Sequence, residues 1–227
     1  MPRKKQSQGK CAYCGQELAT GAMTKHLPAC PPRMAVIATA EQKKGKAETL
    51  YHLRAQAAYL SEFWLDLEMR GAATLEDLDE YLRAIWLECC GHMSQFSIGG
   101  WGGEEISKKR TVDQVFRPDL ELTHIYDFGT ESVTLVKVAG KREGKPTTSH
   151  PIALLARNVM PEAPCLECGQ PSSWLCMECL IEEEKWGVLC DEHVEDHPHD
   201  GYGEPVALAN SPRMGLCGYE GPAEPPY

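Results

Sequence analysis

The middle of the chain contains short stretches in which apolar and polar positions alternate, the pattern of strands with one buried face. They follow one another closely enough to pair as antiparallel neighbours, two of them around Gly129 and Thr130. A helix over residues 47–60 is an alternative for the first stretch, because alanine is frequent there. The predicted strands cover residues 50–55, 63–69, 93–98, 120–128, 133–138 and 152–159.

One longer segment, residues 74–88, has helical periodicity instead. Thr74 and Asp77 have the spacing of a capping box, so the helix is predicted to begin there. A single helical turn is expected over residues 111–116. The apolar stripe of the long helix consists of Leu75, Leu78, Leu82, Ile85 and Trp86. Antiparallel strands with a helix on their buried face predict an α+β domain over residues 49–160.

Composition indicates a globular chain with small additional modules. The 227 residues are 42% hydrophobic and 25% charged, enough for one medium-sized domain. No apolar run approaches the roughly 20 residues of a membrane span. The basic N-terminus has no apolar segment behind it. We therefore expect no signal peptide, no membrane partner and a cytoplasmic location.

The net charge of −10 is distributed unevenly. Residues 1–50 carry nine Lys/Arg and three Asp/Glu, a net +6, whereas residues 161–227 carry two and fourteen, a net −12. Basic segments attract phosphates and acidic ones repel them. A nucleic-acid partner is therefore predicted to bind residues 1–30, although simple solvation of both ends explains the charges equally well. The basic side chains for phosphate contact are Arg3, Lys4, Lys5, Lys10 and Lys25.

Residues 165–199 contain eight Cys and His residues arranged as four pairs. Three pairs have a two-residue gap, which lets a tight turn point both ligands at one ion, and the fourth is His-x-His. Zn²⁺ prefers four thiolate or imidazole ligands in a tetrahedron. Four pairs predict two ions in a cross-brace, with pairs one and three on one ion and pairs two and four on the other. The predicted sites are Cys165, Cys168, Cys190 and His193, and Cys176, Cys179, His197 and His199.

This arrangement resembles the B-box class of cross-brace zinc fingers, and the resemblance implies protein binding. A sequential assignment of the same pairs stays open, as does a role for Cys217 as a spare ligand. Disulfides are an alternative, but no secretory feature accompanies the eleven cysteines. A catalytic zinc would need an open coordination position, whereas these ligands are sufficient to close both sites.

A further ligand set near the N-terminus comprises Cys11, Cys14, His26 and Cys30. Its spacing is close to that of a ββα finger in which Cys replaces the last His. Gly15 suits the turn of a zinc knuckle. The predicted helix starts with Gly, Ala, Met and Thr, so sequence-specific base readout is not expected. The chain is thus predicted to bind about three zinc ions.

The other segments are predicted to connect or extend these modules. Residues 1–32 form the basic tail and C2HC finger, and residues 33–48 a flexible linker, because consecutive prolines precede it and charge follows. Residues 161–200 form the two-zinc module, and residues 201–227 a Gly/Pro-rich tail. One interpretation of residues 211–219 is that they pack back on the zinc module.

Two groupings are enzyme candidates. Cys90 with His92 offers a thiol beside a base, and His124 with Asp127 an acid–base pair. Adjacent cysteines such as Cys89 and Cys90 do not easily share one ion, so core packing is the preferred interpretation there. No nucleophile accompanies the second pair, so a satisfied polar pair is preferred. We expect a non-enzymatic protein, with an enzyme using either pair as the alternative.

Residues 49–139 resemble the plasmid pRiA ORF-three-like family. The matching stretches are Thr74–Asp79, Trp86, His92–Phe96 and Tyr126–Gly129. Residues 130–132 depart from the family pattern, in which Asp, then Ser or Asp, then Trp often follows, and any shared role of that turn is not carried over. The resemblance implies an α+β domain of bacterial or mobile-element origin without established catalysis. Together these features predict a zinc-binding adaptor or regulatory protein that binds protein or nucleic acid and has no small-molecule substrate.

Overall fold

The computed structural model describes residues 7–199 and 201–227. Its main element is an antiparallel sheet of nine strands, and the α+β fold class is confirmed. The strands are β1 (Gln8–Cys11), β2 (Glu17–Ala19), β3 (Glu48–Ala57), β4 (Trp64–Arg70), β5 (Ser94–Ile98), β6 (Glu104–Ile106), β7 (Glu121–Tyr126), β8 (Ser132–Gly144) and β9 (Ile152–Asn158). Their order in the sheet is β2-β1-β9-β4-β3-β8-β7-β5-β6.

A second, three-stranded sheet lies in the C-terminal part of the chain. It consists of β10 (Trp174–Leu175), β11 (Val188–Leu189) and β12 (Val206–Ala207), with β10 in the centre. The helices are α1 (Thr20–His26), α2 (Pro31–Glu41), α3 (Leu75–Leu82), α4 (Val112–Val115) and α5 (Met177–Ile181). Among the described residues, no helix has the length and apolar character needed to cross a bilayer.

The first predicted hairpin is confirmed as β3 and β4, and the helical alternative over residues 47–60 is not adopted. Alternation along β4 divides the two faces of the sheet. Phe63, Leu65, Leu67 and Met69 enter the main core beneath α3. Trp64 points to the opposite face and is also fully buried. A strand buried on both faces needs a second layer, and here the N-terminal Cys/His module supplies it.

Polar side chains on this second face of β4 are held by buried ion pairs. Asp66 is fully buried and accepts hydrogen bonds from Arg54 at 2.7 and 2.9 Å. Glu68 is paired with Arg142 of β8 and with Arg33 of α2, each at 2.7–2.8 Å. Because a buried carboxylate is stable only when paired, the Arg33–Glu68 contact fixes α2 against the sheet.

The predicted helix over residues 74–88 begins as expected, with both hydrogen bonds of the Thr74–Asp77 capping box present. It ends earlier than predicted, at Leu82, and residues 83–87 form a π-helical turn. The Trp86 carbonyl accepts a hydrogen bond from Ser211 at 2.5 Å, so a residue distant in sequence replaces its helical partner. Local periodicity contains no information about that contact.

Two connecting segments differ from the prediction. The linker expected over residues 33–48 is mostly the helix α2, because its two prolines occupy the first helical positions, where proline is tolerated. Strand β8 continues to Gly144, six residues beyond the predicted end, and pairs with the start of β3. The second hairpin, the 111–116 turn and the closing strand β9 are confirmed.

The tail after residue 201 is packed rather than extended. Strand β12 joins the small sheet, so this part of the tail does pack on the C-terminal module. Residues 209–219 then lie between this module and the central domain: Met214 packs with Leu175 and Val188 of the C-terminal module, as expected for residues 211–219. Arg213 is fully buried against Asp127 of the central domain. The ring of Tyr227 stacks on His150 with centroids 4.0 Å apart.

Candidate metal centres

Within residues 7–199 and 201–227, four clusters of Cys and His side chains can each hold a metal ion. In every cluster the four ligand atoms lie within 4.8 Å of one another. Together the clusters contain all eleven cysteines, each of which is a free thiol. Tetrahedral zinc with bonds of about 2.3 Å to sulfur and 2.0–2.1 Å to nitrogen separates two sulfurs by about 3.8 Å, and sulfur from nitrogen by about 3.6 Å. These separations are a test of each donor set.

The N-terminal cluster consists of the predicted residues Cys11, Cys14, His26 and Cys30. Cys11 ends β1, and the turn after it carries Cys14 and a left-handed Gly15. His26 ends α1, and Cys30 directly precedes α2. The Cys11 and Cys30 sulfurs are 3.9 Å apart, and the Cys14 sulfur is 3.3 Å from His26 Nε2. Both distances are close to the separations of two ligand atoms on one tetrahedral zinc ion.

The N-terminal cluster is built onto the main sheet. Strand β1 pairs with β9 from Gly9 to Cys11. Cys11 and Cys30 share a small core with Trp64 and Leu155. Gly9 lies flat on the Trp64 ring, since a Cβ there would come within 2.2 Å of it. Burial raises the pKa of the Cys11 thiol to about 11, so a thiolate at this position requires a cation nearby.

The first C-terminal cluster joins Cys165 and Cys168 to Cys190 and His193. The Cys168 and Cys190 sulfurs are 3.7 Å apart, and His193 Nδ1 lies 3.2 Å from Cys190 and 3.9 Å from Cys165. The turn after Cys165 closes with a hydrogen bond from Gly169 at 2.9 Å. This set is the first and third pair of the cross-brace arrangement.

The second C-terminal cluster joins Cys176 and Cys179 to His197 and His199. Cys176 caps α5 and Cys179 lies within it. The Cys179 sulfur is 3.3 Å from His197 Nε2 and 3.1 Å from His199 Nδ1. The structure thus places the second ligand pair with the fourth, as in a cross-brace. The sequential assignment, in which neighbouring pairs share an ion, is not adopted.

A fourth cluster, Cys89, Cys90, His92 and Cys217, was not predicted as a metal site. Core packing was the interpretation of the two adjacent cysteines, and it is wrong for Cys90, which is exposed. The two adjacent sulfurs are 3.7 Å apart, and the chain turns at Gly91, which has φ of +80°, before His92 joins the cluster. Cys217, the spare cysteine of the sequence analysis, belongs to this cluster and not to either of the two C-terminal clusters.

A buried ion pair lies directly beside the fourth cluster. Arg213 donates to the Asp127 carboxylate at 2.6 Å and to the Thr130 carbonyl at 2.9 Å. Burial alone would raise the pKa of Asp127, but the Arg213 guanidinium and the Gly129 and Thr130 amides together outweigh burial and lower the pKa to about 2. The same guanidinium lies over the Tyr126 ring, 4.8 Å from its centroid. This pair anchors the tail on the central domain.

The enzyme candidates are placed differently from one another. His124 and Asp127 do not form a pair, because His124 is fully buried and bonded to Asp79 at 2.6 Å, whereas Asp127 binds Arg213. An acid–base role for that pair is therefore wrong. The Cys90 sulfur and His92 Nε2 are 2.9 Å apart, and both belong to the fourth cluster. The Cys217 and Cys89 thiols raise the pKa of Cys90 to about 12, which opposes a free thiolate there.

Exposed basic side chains lie on the N-terminal module, and exposed large apolar side chains lie on the acidic C-terminal module. Lys10 and Lys25 are exposed on the N-terminal module, while Arg3, Lys4 and Lys5 lie outside the described residues. Arg33 is not available for phosphate contact, because it is buried against Glu68. On the acidic C-terminal module, four large apolar side chains are 46–49% exposed. They are Leu166, Ile181, Trp186 and Tyr202.

Comparison with known proteins gives little beyond this geometry. No protein-family model and no curated protein matches the chain. One similar solved structure is the protein of unknown function MM3350 from Methanosarcina mazei Go1. It is 19% identical with a TM-score of 0.40, and the match covers 46% of this chain and 66% of that chain, just under two thirds of its length. A similarity of this size supports no inference here, and the plasmid-family resemblance stays a prediction.

Proposed function

We propose that this protein is a zinc-binding, non-enzymatic adaptor or regulatory protein that binds a protein or a nucleic acid. One observation carries the proposal: every cysteine of the chain belongs to a cluster with four sulfur or nitrogen ligands. Four protein ligands fill a tetrahedral site and leave no position for a substrate or a reactive water. Such closed sites stabilise small modules and do not perform chemistry.

Zinc is the metal that this donor chemistry favours. The three predicted sites contain two or three thiolates with one or two imidazoles, a combination typical of structural zinc. The S–S distances of 3.9 and 3.7 Å are close to the separation of two sulfurs on one tetrahedral ion. Elemental analysis of unchelated protein tests this part of the proposal. A metal content below about two zinc ions per folded chain would contradict it.

The surface of the C-terminal module supports a protein partner. Its exposed apolar side chains lie among acidic residues such as Glu182 and Glu183, which suits a basic surface with apolar anchors. The probe is a Lys/Arg-rich peptide containing leucines, measured by fluorescence anisotropy with the full chain. Trp186→Ala should weaken binding, whereas the control Tyr59→Ala, an exposed aromatic of the central domain, should not. Equal binding by both variants would contradict this surface.

A nucleic-acid partner is supported by the positive charge of the N-terminal module. Binding of a labelled duplex should then weaken steeply as salt rises, because counterions are released. Lys10→Gln with Lys25→Gln should reduce it, whereas Lys109→Gln with Lys141→Gln, two exposed lysines of the central domain, serves as the control with equal charge change. Binding that both double variants weaken equally would indicate nonspecific attraction only.

The rival candidate, a thiol enzyme, rests on the 2.9 Å contact between Cys90 and His92. An active nucleophile must be a reactive thiolate with an accessible sulfur. Alkylation of the metal-loaded protein, followed by peptide mass mapping, separates the two functions. Rapid, selective modification of Cys90 would favour the enzyme, and slow modification would favour the adaptor.

A further inference from the structure

We propose that Cys89, Cys90, His92 and Cys217 form a fourth zinc site, which fastens the C-terminal segment (residues 208–219) to the central domain. This site adds one metal to the three that the ligand spacing predicts. It differs from them in kind, because its ligands come from segments that are 125 or more residues apart. It acts as a cross-link between two parts of the protein that already touch.

Three of the four distances within the cluster are close to those of a tetrahedral site. The Cys90 sulfur is 3.7 Å from that of Cys89 and 3.6 Å from that of Cys217, against about 3.8 Å for two sulfurs on one zinc. His92 Nε2 is 3.5 Å from Cys217 and 2.9 Å from Cys90, against about 3.6 Å. A disulfide requires sulfurs at about 2.05 Å, so neither sulfur pair is bonded.

The backbone around the cluster is held in place independently of any metal. Arg83 donates to the His92 carbonyl at 2.6 Å, and the Gly91 amide donates to Glu88 at 2.5 Å. On the opposite side, Cys217 has a left-handed φ of +54°, a conformation that costs a non-glycine residue free energy. That cost is reasonable at a position that must direct a ligand.

Two neighbouring contacts explain how Cys217 reaches the central domain. Arg213 is buried on Asp127, and Ser211 donates to the Trp86 carbonyl at the end of the π-helical turn that precedes Cys89. These contacts place the segment, and the three thiols meet as a consequence. The three sulfurs and the imidazole nitrogen that meet there lie within 4.8 Å of one another, close enough to share one ion. Zn²⁺ prefers this combination of sulfur and imidazole donors.

The test compares the wild type with Cys217→Ser, using Leu216→Ala as the neighbouring control. The wild type and the control should contain about four zinc ions per chain, and Cys217→Ser about three. Trypsin gives a second readout, because Arg213 is fully buried and cleavage after it requires the segment to detach. Cleavage at Arg213 should be roughly tenfold faster in Cys217→Ser and unchanged in the control.

Two results would overturn the proposal. One is an equal zinc content in the wild type and Cys217→Ser, and the other is a freshly purified protein whose intact mass shows a disulfide within this cluster. If Cys217→Ser does not fold, His92→Gln removes a ligand from the other side and should also lose one zinc. A wild type with three zincs would leave the three predicted sites in place while excluding the fourth, so the two proposals fail separately.

Discussion

The N-terminal and C-terminal Cys/His modules have similar ligands but are attached to the protein in different ways. The N-terminal module adds β1 and β2 to the edge of the main sheet and shares a core with Trp64. The C-terminal module has its own small sheet, and one of its two small cores consists mainly of ligand residues: Cys165, Cys176, Cys179, Leu189 and Cys190. One module is part of a larger structure, and the other depends on its own ligands.

This difference indicates what the metal contributes in each place. In the C-terminal module, four of the eight buried apolar side chains within residues 165–199 are ligands, so much of the free energy of folding is expected to come from metal binding. In the N-terminal module, strand pairing and the burial of Trp64 contribute as well. The metal there is expected to complete a structure that is already partly supported by its neighbours.

Complete removal of metal should produce the largest contrast. After chelation with EDTA, amides within residues 165–199 should lose all protection from hydrogen exchange, because structural zinc contributes about 10–16 kcal/mol in finger peptides. Strands β3, β4 and β8 should stay protected, and β1 should keep part of its protection through β9. Exchange monitored by mass spectrometry after proteolysis measures this. An equal loss of amide protection in β1 and in residues 165–199 would show that the two modules depend on metal to the same extent.

Single-ligand variants should separate the modules more sharply. Cys165→Ser should release one zinc and unfold the C-terminal module, leaving the main thermal transition in place. Cys11→Ser should release one zinc and also lower the main Tm, because Cys11 packs against Trp64. Calorimetry together with zinc analysis records both effects. Equal shifts of the main transition in the two variants would contradict the proposed difference between the modules.

Glu68→Gln tests the ion pairs that fix α2 to the sheet. Burial alone would raise the pKa of Glu68, but Arg142 and Arg33 outweigh it and hold the pKa below its usual range. Breaking such a buried pair costs about 3–5 kcal/mol. A carboxylate whose pKa is lowered by folding stabilises the fold at pH values above its pKa in the unfolded chain, here 4.5. This stabilisation is lost progressively as the pH falls below 4.5.

The stability gap between the wild type and Glu68→Gln should therefore be full near neutral pH and shrink below about pH 4.5. Urea titrations at several pH values measure it, and metal loss in acid is common to both proteins. A gap that stays constant with pH would show that the carboxylate charge is not the stabilising feature.

The smallest effect is expected from the matched glycines of the two metal-binding turns. Gly15 and Gly169 have nearly equal φ angles of +72° and +73°. Alanine costs about 1–2 kcal/mol in this conformation. Competition with a zinc indicator should show that zinc affinity falls roughly fivefold to thirtyfold, and only in the module that carries the substitution. The loss should be smaller for Gly15→Ala, where the sheet also holds the turn.

Much of the fold could be predicted because its signals are local. Alternation identifies the strands, and the Thr74 cap and apolar stripe identify the start of α3. The two-residue gaps also group the ligands correctly within each pair, since both members lie on one turn. What is not local was missed: the Pro31 helix depends on Arg33 reaching Glu68, and the early end of α3 depends on Ser211.

The fourth cluster shows the same limit for the metal sites. Nothing near Cys89 and Cys90 indicates a metal, because the remaining thiol is Cys217, brought there by the buried Arg213–Asp127 pair. One signal in the sequence was available. Three of the eleven cysteines were left over once the predicted ligand sets were complete, and unassigned cysteines in a metal-binding chain are themselves candidates.

The position of β9 between β4 and β1 has a consequence for synthesis of the chain. The N-terminal hairpin leaves the ribosome first, but its partner strand is made much later, since Cys11 pairs with Ala156, 145 residues on. At about 5–20 residues per second, the hairpin waits roughly 7–30 s for β9. During that interval the sheet cannot support it, and the metal is what can keep the nascent finger ordered. A module that needs its ion least in the finished protein therefore needs it most while the protein is being made.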